Sequence, residues 1–315
     1  MKLSLFFMKV IYTRKKEYSF IDWRKIMSII FADSGCDIPQ DIIEKYDIKI
    51  ITIPICVDDD IYEKGEIPLK EFFDKMRKGS DVKTSSLNPN FYVETFEPYL
   101  KQGEDIIYVH FSSGVTGTFN FLRQAIGILK EQYPERKIDE VDTLNLTTGA
   151  GMVAYEVAKR NKQGMPHNEL VNWANQNKTS YPVFFFPDSL KYLKKGGRIG
   201  AATAVIGTML QIKPMIHVAQ SGKLAVIDKA MGKKKAMANL VNYVKKYGKD
   251  IADHPVIIMH ADDEQSAEEL KKMLLETFGP LKIRLVMVGT TIGTHAGPGT
   301  LAVVFHGTQL VIDEK

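Results

Sequence analysis

At 315 residues, with 44% hydrophobic and 25% charged side chains, the chain is too long to need disulfide or metal staples and too apolar to be disordered. The net charge of +4 is unevenly spread: residues 1–26 carry seven basic and two acidic side chains, leaving −1 for the other 289, so the body of the chain is not built to bind a polyanion. Two cysteines, Cys36 and Cys56, make no disulfide framework and point to a reducing, cytoplasmic setting, and no apolar run reaches the ~18 residues of a transmembrane helix.

Met1–Phe7 is a short apolar stretch followed by a charged cluster, with no small-residue cleavage site, so it does not read as a signal peptide. Residues 1–26 are taken as an extension outside the fold. The first strand is expected at 28–32, and further apolar runs at 50–57, 105–111 and 138–142 read as strands. Helical spacing separates them at Leu69, Phe72, Phe73 and Met76, from Phe91 to Leu100, and at Leu122, Ile126 and Leu129. Another helix is expected from about Gly151 to Arg160. This alternation predicts βαβ units and an α/β domain, a mostly parallel sheet flanked by helices.

The second half has another rhythm. Strand-like runs lie at 181–186, 212–218, 223–229, 255–260, 283–288 and 300–305, with helical patterns near 200–210, 233–247 and 264–277. Gln220-Ser221-Gly222 supplies a hairpin turn. A mixed α+β domain is expected. The polar stretch from Asn175 to Ser180 sets the boundary: 27–178 and 179–315.

Three polar, glycine-rich segments could carry chemistry. Lys83-Thr84-Ser85-Ser86-Leu87-Asn88-Pro89 is a hydroxyl cluster suited to capping a helix. Phe111 to Thr118 follows a strong strand and leads into a helix. Ligands of open parallel sheets bind just beyond such strand ends, where free N–H groups favour an anion. Its two glycines would let a ligand approach the backbone, and its hydroxyls would orient it. Ile292-Gly293-Thr294-His295-Ala296-Gly297-Pro298-Gly299 frames one histidine with three glycines, which places the imidazole at a turn.

Rival motifs fail on spacing. Gly149-Ala150-Gly151-Met152-Val153-Ala154 fits a dinucleotide fingerprint, but the acid about 20 residues on, Glu169, lies in a helical stretch. There is no Walker A loop, no G-x-S-x-G elbow and no zinc spacing. Lys233-Lys234-Lys235 has no aromatic platform for nucleic acid, and Asp58-Asp59-Asp60 reads as a turn.

Taken together, Asp33-Ser34-Gly35-Cys36-Asp37, Lys83-Thr84-Ser85, Ser112 to Thr118, Ser189 to Ile199, Ile212-Lys213-Pro214 and Ile292 to Gly299 occur in the order of the bacterial DegV family, which the chain resembles from about Met27 to its end. The resemblance implies a two-domain fold that holds a long-chain fatty acid between its domains. The acyl chain would lie in an apolar tunnel. The carboxylate would meet Thr84, Thr116 and His295, with Ser85, Ser113, Gly117 and Gly293 flanking. No cofactor or metal is implied, no catalysis and no membrane insertion. The implied partner is a fatty acid kinase, to which the protein presents the carboxylate for phosphorylation.

Two departures stand out. Thr116 replaces the family's usual Ser and keeps the hydroxyl. Met231 stands where the family often has an Arg associated with kinase docking, with Lys233 or Lys234 as candidate substitutes. Two other readings remain open from the residues alone. One is an acyl-ester or acyl-phosphate hydrolase or transferase using Ser113 or Thr116 with His295 as base. The other is a lipid-binding sensor without a kinase.

Overall fold

The computed structural model describes residues 27–64, 66–198 and 211–308. The extension at 1–26 and the helical pattern near 200–210 lie outside the described residues.

The first sheet has the order β2-β1-β6-β7, with β1 Ile29–Asp33, β2 Lys49–Ile51, β6 Ile106–His110 and β7 Ile138–Asp142 all parallel. Parallel strands covered on both faces read as unbroken apolar runs, and Ile106 to His110 is buried at every position. Helices α3 (Pro89–Lys101) and α4 (Thr118–Gln132) pack on one another and on this sheet, as do α5 (Thr147–Lys162) and α6 (His167–Asn177). A shorter helix, α1 (Gln40–Tyr46), packs against α5.

The expected strand at 50–57 is instead two. Pro54 interrupts the run, and the N–H of Ile53 goes to Ser34 Oγ (2.9 Å) rather than to a strand. β2 stays in the parallel sheet. β3 (Ile55–Val57) joins β4 (Asp60–Tyr62) and β5 (Val82–Thr84) in a three-stranded antiparallel ribbon, order β4-β3-β5. Asp58 and Asp59 form the β3–β4 turn, and Asp58 adopts a left-handed conformation. Helix α2 (Leu69–Lys78) buries Phe72, Phe73 and Met76.

The α5 helix starts at Thr147, four residues before the expected start, so Gly149 and Gly151 lie inside it. A Cβ on Gly151 would collide with the Cys36 carbonyl, and one on Gly149 would press on Val183 and Asn145. These glycines permit close packing, which accounts for the fingerprint-like spacing without a nucleotide.

The second sheet is mixed and six-stranded, order β10-β9-β8-β13-β11-β12, with β8 Val183–Phe186, β9 Ile212–Val218, β10 Leu224–Met231, β11 Val256–His260, β12 Ile283–Met287 and β13 Leu301–Val304. Only β11 and β12 pair in parallel. The β9–β10 hairpin turns at Ser221-Gly222, where Gly222 has φ +77. Helices α8 (Gly232–Tyr247) and α9 (Glu264–Phe278) cover one face. Two short helices complete the described chain: α7 (Lys191–Lys195) and α10 (Thr290–Ala296).

Successive strand residues point to opposite faces. Phe184, Phe186, Leu301 and Val303 pack toward α8 and α9 in one core. Their alternates Val183, Phe185, Ala302 and Val304 join the core built on the parallel sheet. The six-stranded sheet therefore has an outer face against its own helices and an inner face against the first half of the chain.

Candidate functional site

The inner face of the six-stranded sheet does not close completely on the rest. A cavity remains, lined on the sheet side by Val183, Phe185, Met259 and Ala302, and opposite by Ile53, Phe111 and Leu146. Its polar side chains are Thr84, Ser85, Ser86, Thr116, Thr118, Arg198 and His295, with Thr147, Thr291 and Thr300 further round the wall.

Thr84 ends β5, and His295 stands in the last turn of α10. Separated by 211 positions in sequence, they meet with Thr84 Oγ1 and His295 Nε2 3.0 Å apart. The expected turn at His295 is instead helix: the glycines on both sides serve other needs. Gly293 rests on the rings of Phe72 and Phe73, and Gly297 ends the helix with φ +81, its Cα against Tyr192.

Burial, together with the Arg198 guanidinium, pushes the His295 pKa down to about 4. The ring is therefore neutral at pH 7. Its Nδ1 is buried and has no hydrogen-bond partner among the described residues. We assign the single ring proton to Nε2, donating to Thr84 Oγ1, because a proton on Nδ1 would have no acceptor. The hydroxyl hydrogen of Thr84 is then free to point into the cavity. The other ring nitrogen faces Gly196, where a Cβ would collide with Nδ1.

Thr116 lies just before α4, and its Oγ1 accepts from the Thr118 N–H at 3.3 Å. Gly117 caps α4 without a side-chain hydrogen bond, and the Asn120 N–H turns back to the Gly117 carbonyl at 3.1 Å. In the segment between β5 and α3, the capping role belongs to Asn88, whose Oδ1 accepts from Phe91 N at 2.9 Å. Thr84 and Ser85 are thereby released from capping.

Arg198 lies in the Ser189 to Ile199 segment that carries the resemblance, but it is not among the expected carboxylate contacts. Gly197 turns the chain at φ +69, and Arg198 Nε donates to the Val115 carbonyl at 3.0 Å. This fixes a half-buried cation on the cavity wall, and burial lowers its pKa. α7 leads into this turn and is anchored to the antiparallel ribbon and α2 by the Lys195–Asp81 ion pair and by Tyr192 Oη donating to the Met76 carbonyl at 3.0 Å.

The remaining expected contacts stand away from the cavity lining. Ser113 donates its hydroxyl to Asp142. Gly117 has open space around it, and Gly293 packs on aromatic rings. Gly114, expected to let a ligand approach the backbone, instead admits protein: a Cβ there would lie 2.6 Å from the Ser221 carbonyl at the hairpin tip. Ser112 Oγ donates to the Gly222 carbonyl at 2.7 Å, pinning that tip to the loop. Met231 lies at the end of β10 and is 62% exposed.

Over residues 28–307 the sequence matches the family described as an uncharacterised protein, DegV family. The chain belongs to the DegV family. A DegV domain-containing protein of Clostridium perfringens is 36% identical over 282 residues, spanning 89% of this chain and 97% of that one. A fatty acid binding DegV family protein from Streptococcus agalactiae superposes with a TM-score of 0.79 at 25% identity, covering 90% of this chain and 100% of the other. A DegV family protein from Thermus thermophilus, described for its fatty acid binding, gives a TM-score of 0.80 at 24% identity, again over 90% and 100%. The mixed α/β architecture of the present DegV chain is that of these structures.

Among the described residues, no helix is long and apolar enough to cross a membrane, and no cluster of His, Cys, Asp or Glu is arranged to hold a metal. Cys36 and Cys56 are both free thiols.

Proposed function

We propose that this DegV protein binds a long-chain fatty acid between its two domains, 27–178 and 179 onward, and presents the carboxylate to a fatty acid kinase. The observation that carries the reading is the pairing of Thr84 with His295 at 3.0 Å, among other hydroxyls, on the wall of a cavity whose sheet side is apolar. Solved relatives described as fatty acid binding support it.

The chemistry divides between the two ends of such a ligand. Each buried methylene contributes about 0.8 kcal/mol, so the chain supplies most of the affinity. The head group sets direction. Thr84 and Thr116 donate hydroxyl hydrogens to the carboxylate, the positive dipole end of α4 and the Arg198 cation favour its charge, and neutral His295 orients Thr84. Ser85, also on the wall, is a further flanking donor. The protein itself breaks no bond, and two unpaired cysteines suit a reducing cytoplasm.

The hydrolase reading has weaker support. A histidine base needs an orienting acid, and His295 Nδ1 has no partner among the described residues. Ser113 is held by Asp142 instead.

The test is organic extraction of the purified protein followed by mass spectrometry, together with uptake of added oleate and palmitate. A fatty acid in the extract, or saturable uptake at one per chain, is expected. Absence of both overturns the proposal. Pull-down with a fatty acid kinase then separates a kinase-linked carrier from a lipid sensor.

A further inference from the structure

The Asp33-Ser34-Gly35-Cys36-Asp37 stretch takes no part in the site described above, yet it grips that site from behind. After β1 the chain makes a tight turn over Ser34–Cys36, and Asp37 follows in a left-handed conformation with φ 42. This aims the Asp37 carboxylate at two partners. One oxygen accepts from the Gly289 N–H at 2.9 Å, and the other from Thr147 Oγ1 at 2.6 Å. Next to it, Ser34 Oγ meets Thr291 Oγ1 at 2.7 Å.

Gly289 and Thr291 bracket the first residue of α10. That helix has no side-chain cap of its own: its capping residue is Gly289, whose own N–H, one of the unpaired donors of the helix start, is taken by the Asp37 carboxylate from a loop 252 positions away. The approach needs glycine, because a Cβ at Gly289 would lie 2.5 Å from Asp37 Oδ1.

α10 is only seven residues long. Thr290 and His295 are about 7.5 Å apart along its axis, so a shift or tilt of the first turn reaches the last one undiminished. In that last turn His295 has little freedom to compensate, with Thr84 on one side and Gly196 on the other.

We propose that Asp37 is a positioning residue of the fatty-acid site: by holding the first turn of α10 it sets where His295 stands, and through His295 the direction of the Thr84 hydroxyl. The placement of His295 follows from the geometry alone; only its consequence for a carboxylate rests on the fatty-acid reading.

The experiment compares wild type, Asp37→Ala, Asp37→Asn and Gly289→Ala. It uses the 15N signals of the His295 ring, assigned with His295→Asn, and oleate titration. A purely structural clamp would lower stability and leave the His295 spectrum alone. The expected result is a change in the His295 ring signals in Asp37→Ala, away from a single Nε2–H form, with oleate bound about ten-fold more weakly. Asp37→Asn, whose amide oxygen still accepts from Gly289, recovers much of both. Gly289→Ala, which expels the carboxylate while keeping Asp37, reproduces the Asp37→Ala spectrum and serves if that variant does not fold. A wild-type His295 spectrum in a folded Asp37→Ala or Gly289→Ala protein overturns the proposal. If wild-type protein takes up no oleate and its extract holds no fatty acid, the fatty-acid reading falls, and the His295 signals still decide the role of Asp37.

Discussion

The two faces of the six-stranded sheet are made from the same strands and do opposite things. On the outer face the Phe184 ring stacks with Tyr243 at 4.8 Å, Tyr247 at 5.6 Å and Phe305 at 5.8 Å, leaving a filled core. On the inner face, one residue along, Val183 and Ala302 line a cavity. The rings of Phe184 and Phe186 point outward into a filled core, whereas the inner face sets Phe185 beside the shorter Val183 and Ala302, and space is left next to them. A two-residue period thus separates a fully packed surface from a cavity-lining one within a single strand.

Substitutions on the two faces should therefore separate stability from binding. The largest effect is expected for Phe184→Ala, which removes a fully buried ring from the outer core. It should lower unfolding free energy in urea by about 3–5 kcal/mol while the folded fraction keeps its oleate affinity. A loss of affinity with little loss of stability would erase the distinction between the faces. Ala302→Phe reverses the test. Displacing about four methylenes from the cavity should weaken oleate roughly a hundred-fold, with the urea midpoint held or raised. Unchanged affinity would show that the acyl chain lies elsewhere.

Smaller effects are expected at the polar end. Thr84→Val and Thr116→Val keep volume and remove a donor, and each should cost a bound carboxylate about 1.5–3 kcal/mol by calorimetry. Equal affinity in both variants would remove these hydroxyls from the site.

The smallest contrast is in titration. His217 on the outer face and His295 at the site both have pKa values pushed down to about 4, chiefly by burial. Each therefore stabilises the fold above the ordinary histidine pKa, and that stability is lost as pH falls from 6.5 toward 4. Asp33 and Asp37, raised by burial to about 7 and about 6, act in the opposite sense: their ionisation makes the fold less stable as pH rises from 3.8 through those values. Bulk stability thus partly cancels, and ring signals of single histidines are the informative measure. Oleate should raise the pKa of His295, whose burial and Arg198 neighbour a carboxylate offsets, and leave His217 unmoved. Equal shifts at both would point to a general change in packing.

Much of the fold is legible in the sequence. The unbroken apolar runs of β1 and β6, the polar break before β8 and the Ser-Gly hairpin carry their structure locally. What escapes is decided at a distance. Pro54 divides one apparent strand between two sheets, and β5, expected only as a capping loop, is drawn into the ribbon by pairing with β3. At the candidate site, the hydroxyl and glycine clusters mark segments that the fold brings to the cavity wall, and family resemblance supplies the joint reading of Thr84, Thr116 and His295. Spacing cannot show that Thr84 meets His295, that Gly114 yields to a hairpin tip, or that Arg198 reaches the wall through its bond to Val115. Each depends on a contact between the two halves of the chain.

The most direct measurement is the carboxyl resonance of [1-13C]palmitate bound to the protein, followed with pH in wild type and Thr84→Val. One bound signal is expected, held ionised well below the pH at which free fatty acid protonates and displaced by the Thr84 substitution. A missing bound signal, or one that titrates like free lipid and ignores Thr84→Val, would contradict a carboxylate held at Thr84, Thr116 and His295.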